Sequence, residues 1–294
     1  MKQKVLIIDC QIFQTAAWDR GMGKYSLNLL SELSVTDRIK HGKVVLVFSN
    51  QLKIGKTALG AVIKAFPSAE VAWLNLRQSK THSISRDAEY NKKNLDRFIK
   101  DNKYQVDFLM LSAFQKPTCP AFPSSGKSYL LFYDLIPLLY HHRYKPDDNY
   151  LSRLRTLFTA DVIFTISQTV QNDLNTIMGI PMSKMVNIDG APIMRKHLNI
   201  KKPNFKIPKR YILMPTGDDI RKNNISGVKG FEQFRGEDSE LMLVLTSKFE
   251  PNFRAFLEKI SKNLIFVGNV SEDELVWLYC KSEMLLFPSE YEGL

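Results

Sequence analysis

Cysteine is scarce in this sequence: three among 294 residues. Cys10, Cys119 and Cys280 stand far apart with no Cys-x-x-Cys spacing, which argues against a disulfide framework or a zinc ribbon and for a reducing cytosol. Histidine is nearly as sparse, at five residues, dispersed except for His141-His142. No His-Glu-x-x-His or comparable ligand spacing occurs, so neither a metal centre nor any other cofactor is expected. A Gly-x-Ser-x-Gly nucleophile elbow is also missing. No apolar run approaches the roughly 20 residues of a membrane span, and the start "MKQKVLIIDC" breaks at Asp9, too short for a signal peptide's apolar region. The expectation is a cytoplasmic protein. Acidic residues are the last deficit: 30 Asp and Glu against 41 Lys and Arg, a formal charge of +11. Such an excess calls for an anionic partner, whether nucleotide phosphates, acidic lipid headgroups or nucleic acid, and does not choose among them.

What the chain does have is ample apolar content, 44%, and a length suited to about two domains. Runs rich in Val, Ile and Leu at residues 4–10, 43–49, 71–76, 106–112, 128–136, 161–167 and 185–190 read as strands apolar on both faces. A helix-period segment, "GKYSLNLLSELS", separates the first two, with Tyr25, Leu29, Leu30 and Leu33 on one stripe. Doubly buried strands with helices between them imply a parallel α/β sheet, a Rossmann-like first domain over 1–194. The rhythm lapses in "RKHLNIKKPNFKIPKR", read as a basic linker over 195–210. It restarts at 211–216, 241–246, 264–269 and 284–289 with helical segments between, a second Rossmann-like domain over 211–294 with only its first four strands. Ser271 and Glu274 form a capping box for the last of those helices, with Leu275, Leu278 and Tyr279 expected on its buried face.

Ligands of open α/β sheets bind at the carboxyl ends of the strands, so those ends are where chemistry is sought. After the first strand come Asp9 and "RGMGKY", with Gly21 and Gly23 just before a helix, suited either to an anion at a helix start or to a tight turn. "SSGKS" is not a phosphate loop, because Ala121 stands where its first glycine is required and a strand follows. "FYDLIP" puts Tyr133 and Asp134 within or at the end of a buried strand; that carboxylate needs hydrogen-bond partners or a task. In "TGDDIRKN", Thr216 and Gly217 form a turn and the cations Arg221 and Lys222 flank a helix start, against the macrodipole, unless an anion lies between them. Glu292 in "SEYEGL" sits one strand end over, as an exposed loop acid or as an acceptor for sugar hydroxyls.

In their order, "IDC…RGMGKYSLNLLSEL", "YDLIPLLY", "ADVIFTISQTVQNDL", "MGIPMSKMVNIDGAP", "YILMPTGDDIRKN" and "LIFVGNVSEDELVWLYCKSEMLLFPSEYEGL" resemble the glycosyltransferase group 1 (family 4) enzymes across essentially all 294 residues. The resemblance implies a GT-B fold, two Rossmann-like domains across a cleft, and transfer of a sugar from a nucleotide-diphosphate sugar to an acceptor hydroxyl with retention and without metal. It places Gly23 and Gly217 with Arg221 and Lys222 near the donor diphosphate, Glu292 at the donor sugar, Tyr133 and Asp134 at the catalytic centre, and Asp9, Gly21 and Ser167 on the acceptor side. The implied partners are a nucleotide-sugar donor and a saccharide or lipid-linked acceptor in bacterial-type polysaccharide or glycolipid assembly, with peripheral contact to an anionic inner membrane face.

Two departures stand out. Tyr133 occupies the place where the family often has histidine, and a phenol of pKa about 10 carries no positive charge at neutral pH. The family motif also continues beyond Gly293 to a second glutamate, so the sequence reads as truncated, weak or inactive by itself, with an exposed apolar edge at "MLLFPS" open to a complementing chain. Two rival readings remain, a noncatalytic degenerate transferase acting as a binding scaffold and a sugar-nucleotide epimerase. Nucleic-acid binding lacks an aromatic-basic motif and is not expected.

Overall fold

The computed structural model describes residues 2–35, 42–79, 84–190 and 200–293. The chain divides into two compact units, Met1–Ile193 with Gly293–Leu294, and Met194–Glu292. Of the basic stretch 195–210, residues 195–199 lie outside the described residues, and 200–210 contains no helix or strand.

The first unit alternates strands and helices: β1 (Gln3–Asp9), α1 (Gly21–Ser34), β2 (Val44–Ser49), α2 (Lys56–Ala65), β3 (Glu70–Leu74), α3 (Ile84–Asp101), β4 (Tyr104–Met110) and β5 (Lys127–Phe132). Four short helices follow, α4 (Ile136–Leu139), α5 (His141–Tyr144), α6 (Asp148–Arg153) and α7 (Arg155–Thr159), and then β6 (Val162–Thr165), α8 (Gln168–Met178) and β7 (Met185–Asn187). Among the described residues these strands form one parallel sheet in the order β3-β2-β1-β4-β5-β6-β7. The central strands are buried on both faces, all six residues of β2 among them, whereas the edge strand β3, expected to be apolar on both faces, leaves Trp73 44% exposed. Leu30 of α1 is buried in that core, with Tyr25, Leu29 and Leu33 packed against it. Chain winding reverses between β1 and β4: β1 leads to β2 on one side, β4 to β5 on the other. A reversal of this kind splays the connecting loops apart and leaves a crevice at the carboxyl ends of the two strands.

The second unit repeats the plan with β8 (Tyr211–Met214), α9 (Asn224–Arg235), β9 (Met242–Thr246), α10 (Pro251–Ile260), β10 (Leu264–Gly268), α11 (Glu272–Lys281) and β11 (Met284–Leu285). Its strands are parallel in the order β10-β9-β8-β11, and the winding reverses between β8 and β11. Alternation along β8 splits the core: Ile212 and Met214 pack with Val228, Phe231 and Leu257 on one face, Tyr211 and Leu213 with Leu278 on the other. The capping box at α11 is present, the Ser271 hydroxyl accepting from the Glu274 amide at 3.3 Å while the Glu274 carboxylate accepts from the Ser271 amide at 2.9 Å.

Several local expectations need correction. Gly21 and Gly23 do not precede α1 but form its first turn. Of the two placements open for Tyr133 and Asp134, the strand end holds, directly after Phe132 closes β5. On α11 Leu278 is buried, Tyr279 is exposed and Trp277 packs on the core instead, because the apolar stripe is rotated by part of a turn. "MLLFPS" is a strand only at Met284 and Leu285, where β11 pairs with β8, and both of those side chains are nearly half exposed. Pro288 lacks the amide that a longer ladder would use.

Candidate functional site

At the reversal point of the second sheet, the turn after β8 and the turn after β11 meet. Asp219 caps a short 3-10 turn, Ile220–Lys222, by accepting from the Arg221 amide at 3.1 Å. Asn223 then takes a left-handed conformation, φ 52°, which redirects the chain into α9. Thr216 donates to the Asn224 side-chain oxygen at 2.5 Å, and Asn224 Nδ2 donates to the Gly217 carbonyl at 2.7 Å, closing the loop on itself. The Glu290 amide donates to the Arg221 carbonyl at 2.8 Å, which ties the "SEYEG" turn to this loop.

The outcome is one carboxylate gripped by two cations. Arg221 Nη1 donates to Glu292 Oε2 at 2.6 Å and to the Tyr291 carbonyl at 3.1 Å, and Lys222 Nζ donates to Glu292 Oε1 at 2.5 Å. The three side chains are partly buried, Arg221 15%, Lys222 19% and Glu292 28% exposed. Burial alone would raise the Glu292 pKa, but the hydrogen bonds from Lys222 and Arg221 bring it below the ordinary glutamate value. The conflict between two cations and a helix start is therefore resolved inside the unit, by the protein's own carboxylate. Arg221 and Lys222 thus hold the Glu292 carboxylate through charge-assisted donors.

At the reversal point of the first sheet lies a cavity of about 400 Å³. Its walls come from the loop after β1 and the first turn of α1 (Thr15–Ala17, Arg20, Met22), the loop after β4 (Phe114–Lys116), the end of β5 and the residues after it (Phe132–Asp134), and α6 with the residues before it (Tyr144–Asp147, Tyr150). That volume lies toward the small end of the roughly 300–1,000 Å³ of ligand pockets.

The remaining site residues separate by what they touch. Asp134 lines the cavity, with Oδ1 accepting from the Ile136 amide at 2.9 Å. Tyr133 lines it too, but its hydroxyl is engaged by Ser26 Oγ at 2.5 Å and donates to the Met22 carbonyl at 3.1 Å; burial pushes its pKa well up, so it stays a neutral phenol. Asp9 is not at the cavity wall. It is 2% exposed and accepts from the Gln11 amide and side chain and from Ser112 Oγ, and burial raises its pKa despite those bonds. The Gly23 amide donates to the Ala17 carbonyl, and a Cβ there would lie 2.4 Å from the Trp18 carbonyl oxygen; close backbone approach explains this glycine, not positive φ. Gly21 and Gly217 show no such crowding. Ser167 caps α8 by accepting from the Val170 amide at 3.3 Å. Gln115, Lys116 and Tyr150 escaped sequence reasoning, although the loop "SAFQKPTCPAFP" carried a signal in its prolines and aromatics. Among the described residues no three His, Cys, Asp or Glu side chains gather as metal ligands, and no helix is long and apolar enough to cross a membrane.

No protein-family profile matches the chain. Among curated proteins it is similar to the serotype-specific mannosyltransferase WbdA of Escherichia coli, 24% identical across 98% of this chain and 38% of that protein, and to another WbdA sequence of that species, 27% identical across 59% of this chain and 24% of its length. The chain thus spans about a quarter to two fifths of the relatives it matches. Among solved structures it resembles sucrose-phosphate synthase of Thermosynechococcus elongatus (TM-score 0.57, 12% identity, 100% of this chain and 77% of that one). It also resembles the lipopolysaccharide outer core galactosyltransferase WaaB (TM-score 0.57, 13%, 99% and 76%) and the lipopolysaccharide glycosyltransferase WaaG (TM-score 0.53, 14%, 98% and 76%). The fold is GT-B.

Proposed function

We propose that this chain, a GT-B relative of the group 1 glycosyltransferases, moves a sugar from a nucleotide-diphosphate sugar to an acceptor hydroxyl with retention of configuration. The observation that carries the reading is the pair of fixed cations, Arg221 and Lys222, converging on one carboxylate at a strand-end crevice. A departing nucleoside diphosphate gains negative charge in the transition state, and preorganised cations stabilise it there without reorganising. The diphosphate takes the place beside Arg221 and Lys222 that Glu292 holds here, and Glu292 turns to the hydroxyls of the donor sugar, where two carboxylate oxygens accept from neighbouring groups. Gly217 and Gly23 act through the backbone, shaping the loops that lead into α9 and α1.

On the first unit the acceptor enters the cavity lined by Asp134 and Tyr133. Asp134 accepts a hydrogen bond from the acceptor and orients it. Tyr133, held neutral, fixes the wall and carries no charge. Asp9, Gly21 and Ser167 support the acceptor side from behind. No nucleophile on the protein is required, since a phosphate oxygen of the leaving group can take the acceptor proton.

The names of the curated relatives make mannose the first donor sugar to test, and polysaccharide or glycolipid assembly the setting, with an acceptor at an anionic membrane face that suits the +11 charge. The deciding experiment is thermal stabilisation by a panel of nucleoside diphosphates and their sugars, since a ligand specific to the folded form raises stability. Stabilisation by a nucleotide-diphosphate sugar that disappears in the Lys222→Gln variant supports the reading. No response to any member of the panel removes it.

A further inference from the structure

We propose that Asn224 is a positioning residue for a bound diphosphate: its carboxamide clamps the ends of the loop that carries Arg221 and Lys222 and so fixes where the two cations stand. The inference rests on the donor-site reading above and adds to it an uncharged residue that touches no ligand.

Asn224 is the first residue of α9 and is 2% exposed, as is Thr216 at the other end of the loop. Asparagine is a poor helix former and its amide is costly to bury, so the residue type needs a reason outside the helix. Both ends of the carboxamide supply one. Thr216 Oγ1 donates to Asn224 Oδ1 at 2.5 Å, and Asn224 Nδ2 donates to the Gly217 carbonyl at 2.7 Å. One side calls for an acceptor and the other for a donor, and a carboxamide offers both on a single rigid plane. Aspartate would set a second acceptor against the Gly217 carbonyl. Leucine, close to asparagine in shape, would strip the Thr216 hydroxyl and that carbonyl of these bonds.

The other bonds of the loop do not replace this clamp. The Lys222 amide donates to the Asp219 carbonyl and the Asn223 amide to the Ile220 carbonyl, each at 3.0 Å, so they tie the turn to itself. The Glu290 amide holds the Arg221 carbonyl at 2.8 Å, but from the turn that carries Glu292, the group a diphosphate displaces. Asn224 bonds to Thr216 and Gly217, so its clamp stays closed whichever anion the cations hold. Charge-assisted hydrogen bonds depend on distance and direction, and cations on a loosened loop therefore lose affinity while keeping their charge. A loop ordered in advance also lowers the ordering cost of binding.

The test is calorimetric titration with GDP, UDP and ADP of the parent chain, N224L, T216V, T216S, K222Q and the double variants T216V/N224L and K222Q/N224L, with urea unfolding of each. The tightest-binding of the three nucleotides is expected to bind N224L and T216V about tenfold more weakly than the parent, and T216S, which keeps the hydroxyl, as the parent does. T216V/N224L is expected to bind no more weakly than N224L, because the two residues form one clamp. K222Q, which weakens binding in the parent, is expected to add little in the N224L background, a readout that a general loss of packing would not produce. The proposal is overturned if N224L and T216V bind as the parent does, if T216S binds as weakly as T216V, if the losses in T216V/N224L add, or if K222Q costs as much in N224L as in the parent. Where N224L does not fold, T216V against T216S decides by the same criterion. If the parent binds none of the three nucleotides, the donor-site reading falls and this inference with it; if the parent binds and the variants match it, the positioning role falls and the donor-site reading stands.

Discussion

Replacing Glu292 by glutamine removes the one negative charge that Arg221 and Lys222 share, and two opposite effects follow. At about 2.6 Å and an effective dielectric near 20, each contact is worth roughly 6 kcal/mol of gross Coulomb attraction. Desolvating the three groups cancels most of this. Exposed pairs net about 0.2–1 kcal/mol and loss of one partner from a buried pair costs about 3–5, so this partly buried triad is expected to lose about 1–3 kcal/mol in the ligand-free chain. Binding of a free nucleoside diphosphate moves the other way, because the anion no longer has to displace a carboxylate: about tenfold tighter, or about 1.4 kcal/mol. The pH dependence has a definite sign. The folded-state pKa of Glu292 lies below its unfolded value, so its contribution is present above the unfolded pKa of about 4.3 and is lost as pH falls through the lower folded value. Denaturant unfolding from pH 7 to 3 and calorimetric titration with a nucleoside diphosphate, parent against E292Q, measure both. Weaker diphosphate binding by E292Q, or an unchanged acid transition, refutes the competition between carboxylate and phosphate.

Two further outcomes follow from packing and hydrogen bonding. A Cβ at Gly227 of α9 would lie 2.8 Å from Pro288 Cγ and 2.9 Å from Met214 Sδ; overpacking of about 1–3 kcal/mol exceeds the helix propensity gained, so G227A is expected to lower the melting temperature and to disturb the turn carrying Glu292. Tyr133→Phe removes the hydroxyl engaged by Ser26 and Met22 and is expected to cost about 1–2 kcal/mol in urea unfolding, while saturating nucleoside diphosphate binds with unchanged affinity.

The alternation of strands and helices was legible because doubly buried strands such as "VVLVFS" leave a continuous apolar run, and helix starts such as Ser271 with Glu274 carry their own chemistry. Arg221, Lys222 and Glu292 could be singled out, since cations at a helix start conflict with its dipole. That the third answers the first two could not, because their 70-residue separation closes only through the pairing of β11 with β8. Strand order was equally hidden. Winding reverses at β1/β4 and β8/β11 through nonlocal pairings that no window of sequence records. Tyr150 and Gln115 illustrate the remaining gap: nothing in either residue type announces an unsatisfied atom, which exists only once the loop after β4 and α6 are packed together. Gly23, expected to serve an anion or a positive-φ turn, is instead required by backbone crowding against Ala17 and Trp18.

Calorimetric titration of nucleotide-diphosphate sugars into the parent chain and into the R221Q/K222Q double variant puts the central claim to the most direct test. Each charge-assisted contact is worth about 1.5–3 kcal/mol, so the variant is expected to bind at least about a hundredfold more weakly, with its fold retained by circular dichroism. Equal affinity in parent and variant would contradict the assignment of these two side chains to a diphosphate.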